Sequence, residues 1–387
     1  MSTIVIAMLP ELGHINASLK LASSLRLRGH QVYYLVGSDY EAYMRAQGLN
    51  FINLGSTLAP DQSISQLDCM EYLLEARIHG QALNERFKAL VQVFRQEIAS
   101  LISKLKPDLF LIDPFVPDIV MIVRDLGLPF AYLNTTLINP LADTPLFHSQ
   151  PDLTKVPELI LCAGEFDFPE SRRPARSPRY YVGASVNLQR KEDPLDWQKI
   201  DNSKPLLYCS LGSQPQNCVG AKRFFEVVIE AMSELPHRQM IVATGAQFYH
   251  DFQRVPANVL VMARAPQLQI LERAEGMLTH GGLNTIKEAI LFGTPMIVFP
   301  SFGDQPMNAA RIAYHGLGLT GNMATVTPEQ VRALIERVMQ PEFRKRAVAF
   351  QQLFQEIDTA EMDVKIVEAL LASVEKKTRQ AAVARQV

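Results

Sequence analysis

The sequence predicts an α/β protein made of two doubly wound, parallel-sheet halves. Three observations carry this. Short β-rich apolar runs alternate with helical patterns along nearly the whole chain. The alternation restarts after a polar stretch near residue 190. At 387 residues the chain is also too long for one ordinary core.

The first series opens with TIVIAML, a helix to about Arg28, then Gly29 and the strands QVYYLVG and FINLG. Leu83, Phe87, Leu90, Phe94, Ile98 and Leu101 recur at three- and four-residue steps, which predicts a long amphipathic helix with its Phe residues in the core. PDLFLID, a helix over DIVMIVRDLG and the strand PFAYLN follow, so this half reads as a parallel sheet flanked by helices. From Pro140 to Pro178 the chain is dense in proline and without sustained period, which predicts an irregular segment with short helical pieces.

The stretch NLQRKEDPLDWQKIDNSK carries charges of both signs and reads as a linker. After it come PLLYCSLG, QMIVATG, NVLVMARA, GMLTHGG and PMIVFP, each followed by a helical pattern. Thr327, Pro328 and Gln330 make a capping-box start for a late helix. The expected division is a first domain over 1–190, a linker over 191–204, a second domain over 205–365, and a terminal helix over 366–387 returning toward the first domain. The end, EKKTRQAAVARQV, reads as a solvated helix terminus.

A net charge of -2 gives no sign of a nucleic-acid partner. No run is long and apolar enough to span a bilayer, and MSTIVIAMLPELGH lacks the basic start of a secretion signal, so the expected location is cytoplasmic. Cys69, Cys162, Cys209 and Cys218 form no CxxC pair and no zinc spacing, which predicts reduced thiols. No DxD pair or His-Asp cluster with metal-ligand spacing appears, so no metal is expected.

The chemistry gathers at strand-to-helix corners. In open parallel sheets ligands bind beyond the carboxyl ends of the strands, where helix N-termini offer unpaired N–H groups and partial positive charge. GMLTHGG running into LNTIKEAI has that form. Gly281 and Gly282 let the backbone approach an anion, while Asn284 and Thr285 sit near the first helical turn. Glu288 lies one turn beyond Asn284, in reach of a ribose hydroxyl pair beside a bound phosphate. A second corner, SLGSQ over 210–214, includes Ser213, and two such corners in one sheet would flank a single diphosphate. The bland alternative is a glycine turn with a satisfied histidine. In the first half, PELGHINASLKLA puts His14 just after the first strand. An imidazole of unperturbed pKa about 6.5 suits a general base there.

The full stretch RAPQLQILERAEGMLTHGGLNTIKEAILFGTPMIVFPSFGDQPMNAARI resembles the signature region of the UDP-glycosyltransferase superfamily. The HGGLNT form is similar to bacterial members such as zeaxanthin glucosyltransferases. Weaker likenesses (GHINASLKLA, LIDPF, YVG, SLGS) follow in family order across nearly all the chain. The resemblance implies the GT-B fold, two facing Rossmann-like domains with a cleft between them. It assigns Gln267 to the uracil edge, His280, Asn284 and Thr285 to the diphosphate, Glu288 to the ribose, and Asp304 with Gln305 to the donor-sugar hydroxyls. It also makes His14 the base and Asp113, in LIDPF, the partner of its second nitrogen. Where many relatives stack a tryptophan on the base, this chain has Arg264, whose guanidinium plane also stacks but less hydrophobically.

The implied reaction is an inverting, metal-independent transfer of a hexose from a UDP-sugar, or a TDP-sugar, to a hydroxyl of a small apolar natural product. No cofactor is implied beyond that co-substrate. The segments between residues 56 and 178 would line the acceptor pocket. Two other readings stand beside this one, a non-catalytic nucleotide-sugar-binding auxiliary protein and a GT-B sugar-nucleotide epimerase. GLGLTG over 316–321 fits GxGxxG but follows a helical stretch instead of a strand, which argues against a dinucleotide site. SLGS lacks the spacing of a nucleophile elbow.

Overall fold

The computed structural model describes residues 1–37, 40–54, 66–140, 150, 152–169 and 178–384. It divides into two compact units. One holds Met1–Gly164, Pro169–Asn187 and Ala360–Val387; the other holds Glu165–Phe168 and Leu188–Thr359. Each is an α/β body around one parallel sheet. No helix among the described residues is long and apolar enough to cross a membrane.

The strands of the first unit are β1 (Thr3–Ala7), β2 (Gln31–Val36), β3 (Asn50–Asn53), β4 (Leu109–Ile112), β5 (Phe130–Asn134), β6 (Glu158–Ile160) and β7 (Arg179–Tyr181). They lie in the order 3-2-1-4-5-6-7. Alternate residues of β1 face different cores, as a sheet covered on both sides requires. Ile4 and Ile6 pack with Leu19 and Leu25 of the helix Leu12–Leu27. Val5 and Ala7 pack on the other face with Phe87 and Phe94 of the helix Glu85–Leu105. That long helix has the apolar stripe its spacing predicts, and its Asn84 cap accepts from the Phe87 N–H at 3.1 Å.

Strands β6 and β7 were not legible in the sequence, because β6 opens on an acid. Glu158 is buried, yet its carboxylate accepts from Asn134 Nδ2 at 2.8 Å and pairs with Arg179 Nε at 3.0 Å, both on neighbouring strands. Residues 141–149, 151 and 170–177 of the expected irregular segment lie outside the described residues, as do the expected acceptor-lining residues 56–65 and the side chain of Cys69. Cys162, Cys209 and Cys218 are all buried.

The second unit holds β8 (Leu206–Ser210), β9 (Gln239–Ala243), β10 (Val259–Met262), β11 (Ala274–Thr279), β12 (Met296–Val298) and β13 (Gly318–Thr320), in the order 10-9-8-11-12-13. Strand β13 occupies the middle of GLGLTG, so that stretch passes from helix to strand and cannot cradle a dinucleotide. Thr327 and Gln330 form the reciprocal capping box at the start of the helix Pro328–Val338.

The units part from the expected domain limits at 165–168, at 188–204, where the expected linker belongs to the second unit, and at 360–365. Residues 165–168 join the second unit because Asp167 pairs with buried Arg311. Residues 188–190 do so because Arg190 pairs with Glu288. Residues 360–365 join the first unit, where Val364, Val367 and Leu371 of the helix Met362–Ala384 enter the core beside Leu19 and Leu25.

Candidate active site

Each sheet reverses its strand order once, between β1 and β4 in the first and between β8 and β11 in the second. Such a reversal leaves a crevice beyond the strand ends, because the two crossover helices leave toward opposite faces. His14 and Asp113 follow the strands at the first reversal, and Ser213, His280, Gly282, Asn284, Thr285 and Glu288 follow those at the second.

In the first unit, His14 stands in the first turn of the helix after β1, and Asp113 follows β4 directly. Pairing of β1 with β4 brings them together, with His14 Nδ1 2.6 Å from Asp113 Oδ2. Asp113 is fully buried and accepts from the N–H groups of Phe115 at 3.0 Å and Leu9 at 3.3 Å. An ionised carboxylate can only accept, so Nδ1 is the donor in this contact, and in the neutral ring the lone pair is then on Nε2. Thr135, one residue past β5, places Oγ1 2.9 Å from the same Nδ1. The Phe115 ring meets the imidazole edge-on at 5.0 Å between centroids. No sequence pattern marked Thr135; it reaches the site only because β5 lies beside β4.

In the second unit the two glycine corners meet around His280. A Cβ on Gly212, whose φ is 81°, would lie 2.7 Å from His280 Cε1, and one on Gly282 would lie 2.8 Å from His280 Nε2. Glycine at both positions is what lets the ring sit between the corners. Burial pushes the His280 imidazole down to about 4, so the ring is neutral at pH 7 and offers an N–H instead of a positive charge. The unfolded chain binds this proton below about pH 6.5 and the folded chain only below about 4. The stability it contributes is therefore present above about pH 6.5 and lost as the pH falls through about 4. A proton NMR titration of the ligand-free protein should show no titration of the His280 ring between about pH 5.5 and 8, against an ordinary imidazole at about 6.5. A midpoint near the ordinary value would show that water reaches the ring freely.

Glu288, fully buried in the helix Leu283–Leu291, is the centre of a second cluster. Its Oε1 accepts from Asn284 Nδ2 at 2.7 Å and its Oε2 from Gln267 Nε2 at 2.6 Å. Arg190 grips both oxygens, Nη1 on Oε1 and Nη2 on Oε2. Arg190 also donates from Nε at 3.1 Å and Nη2 at 2.7 Å to Glu192, whose carboxylate caps the N–H groups of Leu268 at 3.0 Å and Gln269 at 3.4 Å. Burial pulls the Arg190 pKa down, but the two carboxylates outweigh it and hold the guanidinium above its ordinary value. Arg190 and Glu192 sit in the stretch read from sequence as a domain end and a linker. Their only signal there was the presence of charges of both signs in RKED. Thr285 Oγ1 lies 3.4 Å from Gln267 Nε2.

The third group follows β12. Asp304 precedes the helix Gln305–Tyr314, and its Oδ2 accepts from Asn308 Nδ2 at 2.8 Å. Asn308 also donates to the Gly281 carbonyl at 3.0 Å, which ties this corner to the His280 corner. Gln305 is buried, and its Oε1 accepts from the N–H groups of Ser301 at 2.9 Å and Phe302 at 3.1 Å. Its carbonyl therefore shapes the loop, and only its NH₂ is left to serve a ligand. Ser213 and Arg264 are exposed, and no side-chain hydrogen bond among the described residues joins either to these clusters.

Residues 226–372 match the erythromycin biosynthesis protein CIII-like, C-terminal domain family. The chain is similar to the NDP-glycosyltransferase YjiC of Bacillus licheniformis, 27% identical over 95% of this chain and 98% of that one. It is also similar to the zeaxanthin glucosyltransferase of Pantoea ananas, 22% identical over 88% and 90% of the two chains. Among solved structures, spinosyn rhamnosyltransferase SpnG complexed with thymidine diphosphate matches with a TM-score of 0.71 at 19% identity, covering 95% of this chain and all of that one. The chain thus has the GT-B fold of this solved glycosyltransferase, and over residues 226–372 it is similar to the erythromycin biosynthesis protein CIII-like C-terminal domain family.

Proposed function

We propose that the protein transfers a hexose from a nucleoside diphosphate sugar to a hydroxyl of a small apolar natural product, with inversion at the anomeric carbon. The observation that carries this is the 2.6 Å contact of His14 Nδ1 with buried Asp113. It fixes the tautomer in which Nε2 takes the acceptor's proton as the oxygen attacks, and the carboxylate stabilises the imidazolium that forms. The acceptor is assigned to the first unit and the donor to the second. The diphosphate takes the corner of His280, Gly282, Asn284 and Thr285, with Ser213 from the neighbouring corner. There the helix start and the neutral His280 N–H meet the charge that grows on the leaving group, which makes the transfer independent of metal. Gln267 and Arg264 serve the base, Glu288 the ribose, and Asp304 with the Gln305 amide the sugar hydroxyls.

The donor is a UDP-sugar, with a TDP-sugar as the alternative. The exposed guanidinium of Arg264 supports either base, and SpnG is a relative solved with thymidine diphosphate. Calorimetry with UDP, TDP and GDP tests the donor site. UDP or TDP should bind in preference to GDP, and Glu288→Ala should weaken that binding by about 10- to 100-fold, the worth of one hydrogen bond to a charged group. Absence of any nucleotide binding would overturn the reading. Added chelator should leave turnover of the desalted enzyme unchanged.

A further inference from the structure

The carboxylate assigned to the ribose already has a full set of donors. An ionised carboxylate has about four lone-pair sites, and four N–H donors occupy those of Glu288. Oε1 takes Arg190 Nη1 and Asn284 Nδ2; Oε2 takes Arg190 Nη2 and Gln267 Nε2. A ribose diol can therefore reach Glu288 only by replacing two of them.

The four donors are not equally replaceable. Charge-assisted, bidentate bonds are roughly twice as strong as neutral ones, and the Arg190 fork is held from behind by Glu192 through Nε and Nη2. Asn284 and Gln267 each give a single neutral amide bond, one on each carboxylate oxygen. Removal of those two leaves one accepting site per oxygen, which matches a vicinal diol donating one O–H to each. It also releases both amides, Asn284 at the start of its helix beside Gly282 and Gln267 at the start of its own short helix.

We propose that Arg190 is the positioning residue for ribose recognition, its fork holding Glu288 still while the two ribose hydroxyls take the places of the Asn284 and Gln267 amides. This rests on the nucleotide reading of the second unit given above. A 2′-deoxyribose has one hydroxyl where the ribose has two, so it displaces one amide only. The other amide stays on Glu288 and is withheld from the nucleotide.

The test is calorimetry on the full-length protein with UDP, 2′-deoxy-UDP and inorganic pyrophosphate, for the native chain, Arg190→Lys and Arg190→Met. The native protein should prefer UDP to 2′-deoxy-UDP by about tenfold, one hydrogen bond's worth. Arg190→Met should weaken UDP at least about tenfold and shrink the ribose preference below about threefold, while pyrophosphate binding stays within about twofold. Arg190→Lys keeps the charge without the fork and should fall between the two. If Arg190→Met does not fold, a reduced ribose preference in Arg190→Lys supports the proposal and an unchanged one overturns it. A ribose preference as large in Arg190→Met as in the native chain, whatever the absolute affinities, would make Arg190 a packing residue only. Equal native affinity for UDP and 2′-deoxy-UDP would overturn this inference and leave the donor site standing. A native protein that binds no nucleotide overturns both.

Discussion

His14→Ala should lower sugar transfer by about a thousandfold, within the range general-base removal typically produces, while UDP affinity stays within about twofold of native. The two effects separate because His14 and the nucleotide clusters belong to different units and different sheets. The measurement is initial rate with a UDP-sugar and the best-used member of a panel of hydroxylated acceptors, alongside calorimetry of UDP. Asp113→Asn should act in the same direction through the tautomer. An amide in that place can present its NH₂ to Nδ1, which moves the ring proton to Nε2 and leaves no base facing the acceptor, a change worth about 10⁴ in comparable triads. Equal loss of transfer and of nucleotide binding in His14→Ala would show that His14 supports the fold instead of the chemistry.

Arg311→Ala should destabilise the second unit by about 3–5 kcal/mol, the cost of leaving one partner of a buried pair uncompensated. Arg311 is 3% exposed and Asp167 fully buried, joined by Nε and Nη2 contacts of 2.9 Å to one carboxylate oxygen. The Arg311 guanidinium also lies 5.0 Å from the centre of the Phe168 ring, and His315 Nε2 donates to the Phe166 carbonyl at 2.9 Å. Loss of the arginine thus strips Asp167 and Phe168 of this partner, while His315 still holds Phe166. Urea unfolding followed by circular dichroism gives the change. The double variant Arg311→Met with Asp167→Leu should recover most of the loss, because no charge is then left buried. A single-variant loss below about 1 kcal/mol would mean that water reaches Asp167 once the arginine is gone. Arg311 Nη1 also donates to Asn308 Oδ1 at 3.3 Å. The same variant therefore loosens the residue that joins Asp304 to the Gly281 corner.

What the sequence determined by itself was local. The three- and four-residue spacing from Leu83 to Leu101 specifies an amphipathic helix whatever surrounds it, because the period belongs to the helix. A strand, a glycine pair and a helix start within a dozen residues specify a corner with free N–H groups, so His280, Gly282 and Glu288 stood out together. The βαβ alternation also determined that each half is a parallel sheet flanked by helices, but left the strand order and the strands β6, β7 and β13 to the structure. Tertiary structure alone decided which distant residues complete these corners. Arg190 meets Glu288 across 98 residues and Asp167 meets Arg311 across 144. Thr135 joins His14 through neighbouring strands, and Glu158 becomes part of a strand because Asn134 and Arg179 satisfy its buried charge. A charge in a sequence does not name its partner. The low dielectric of the packed interior requires one, and only the assembled fold brings it within reach.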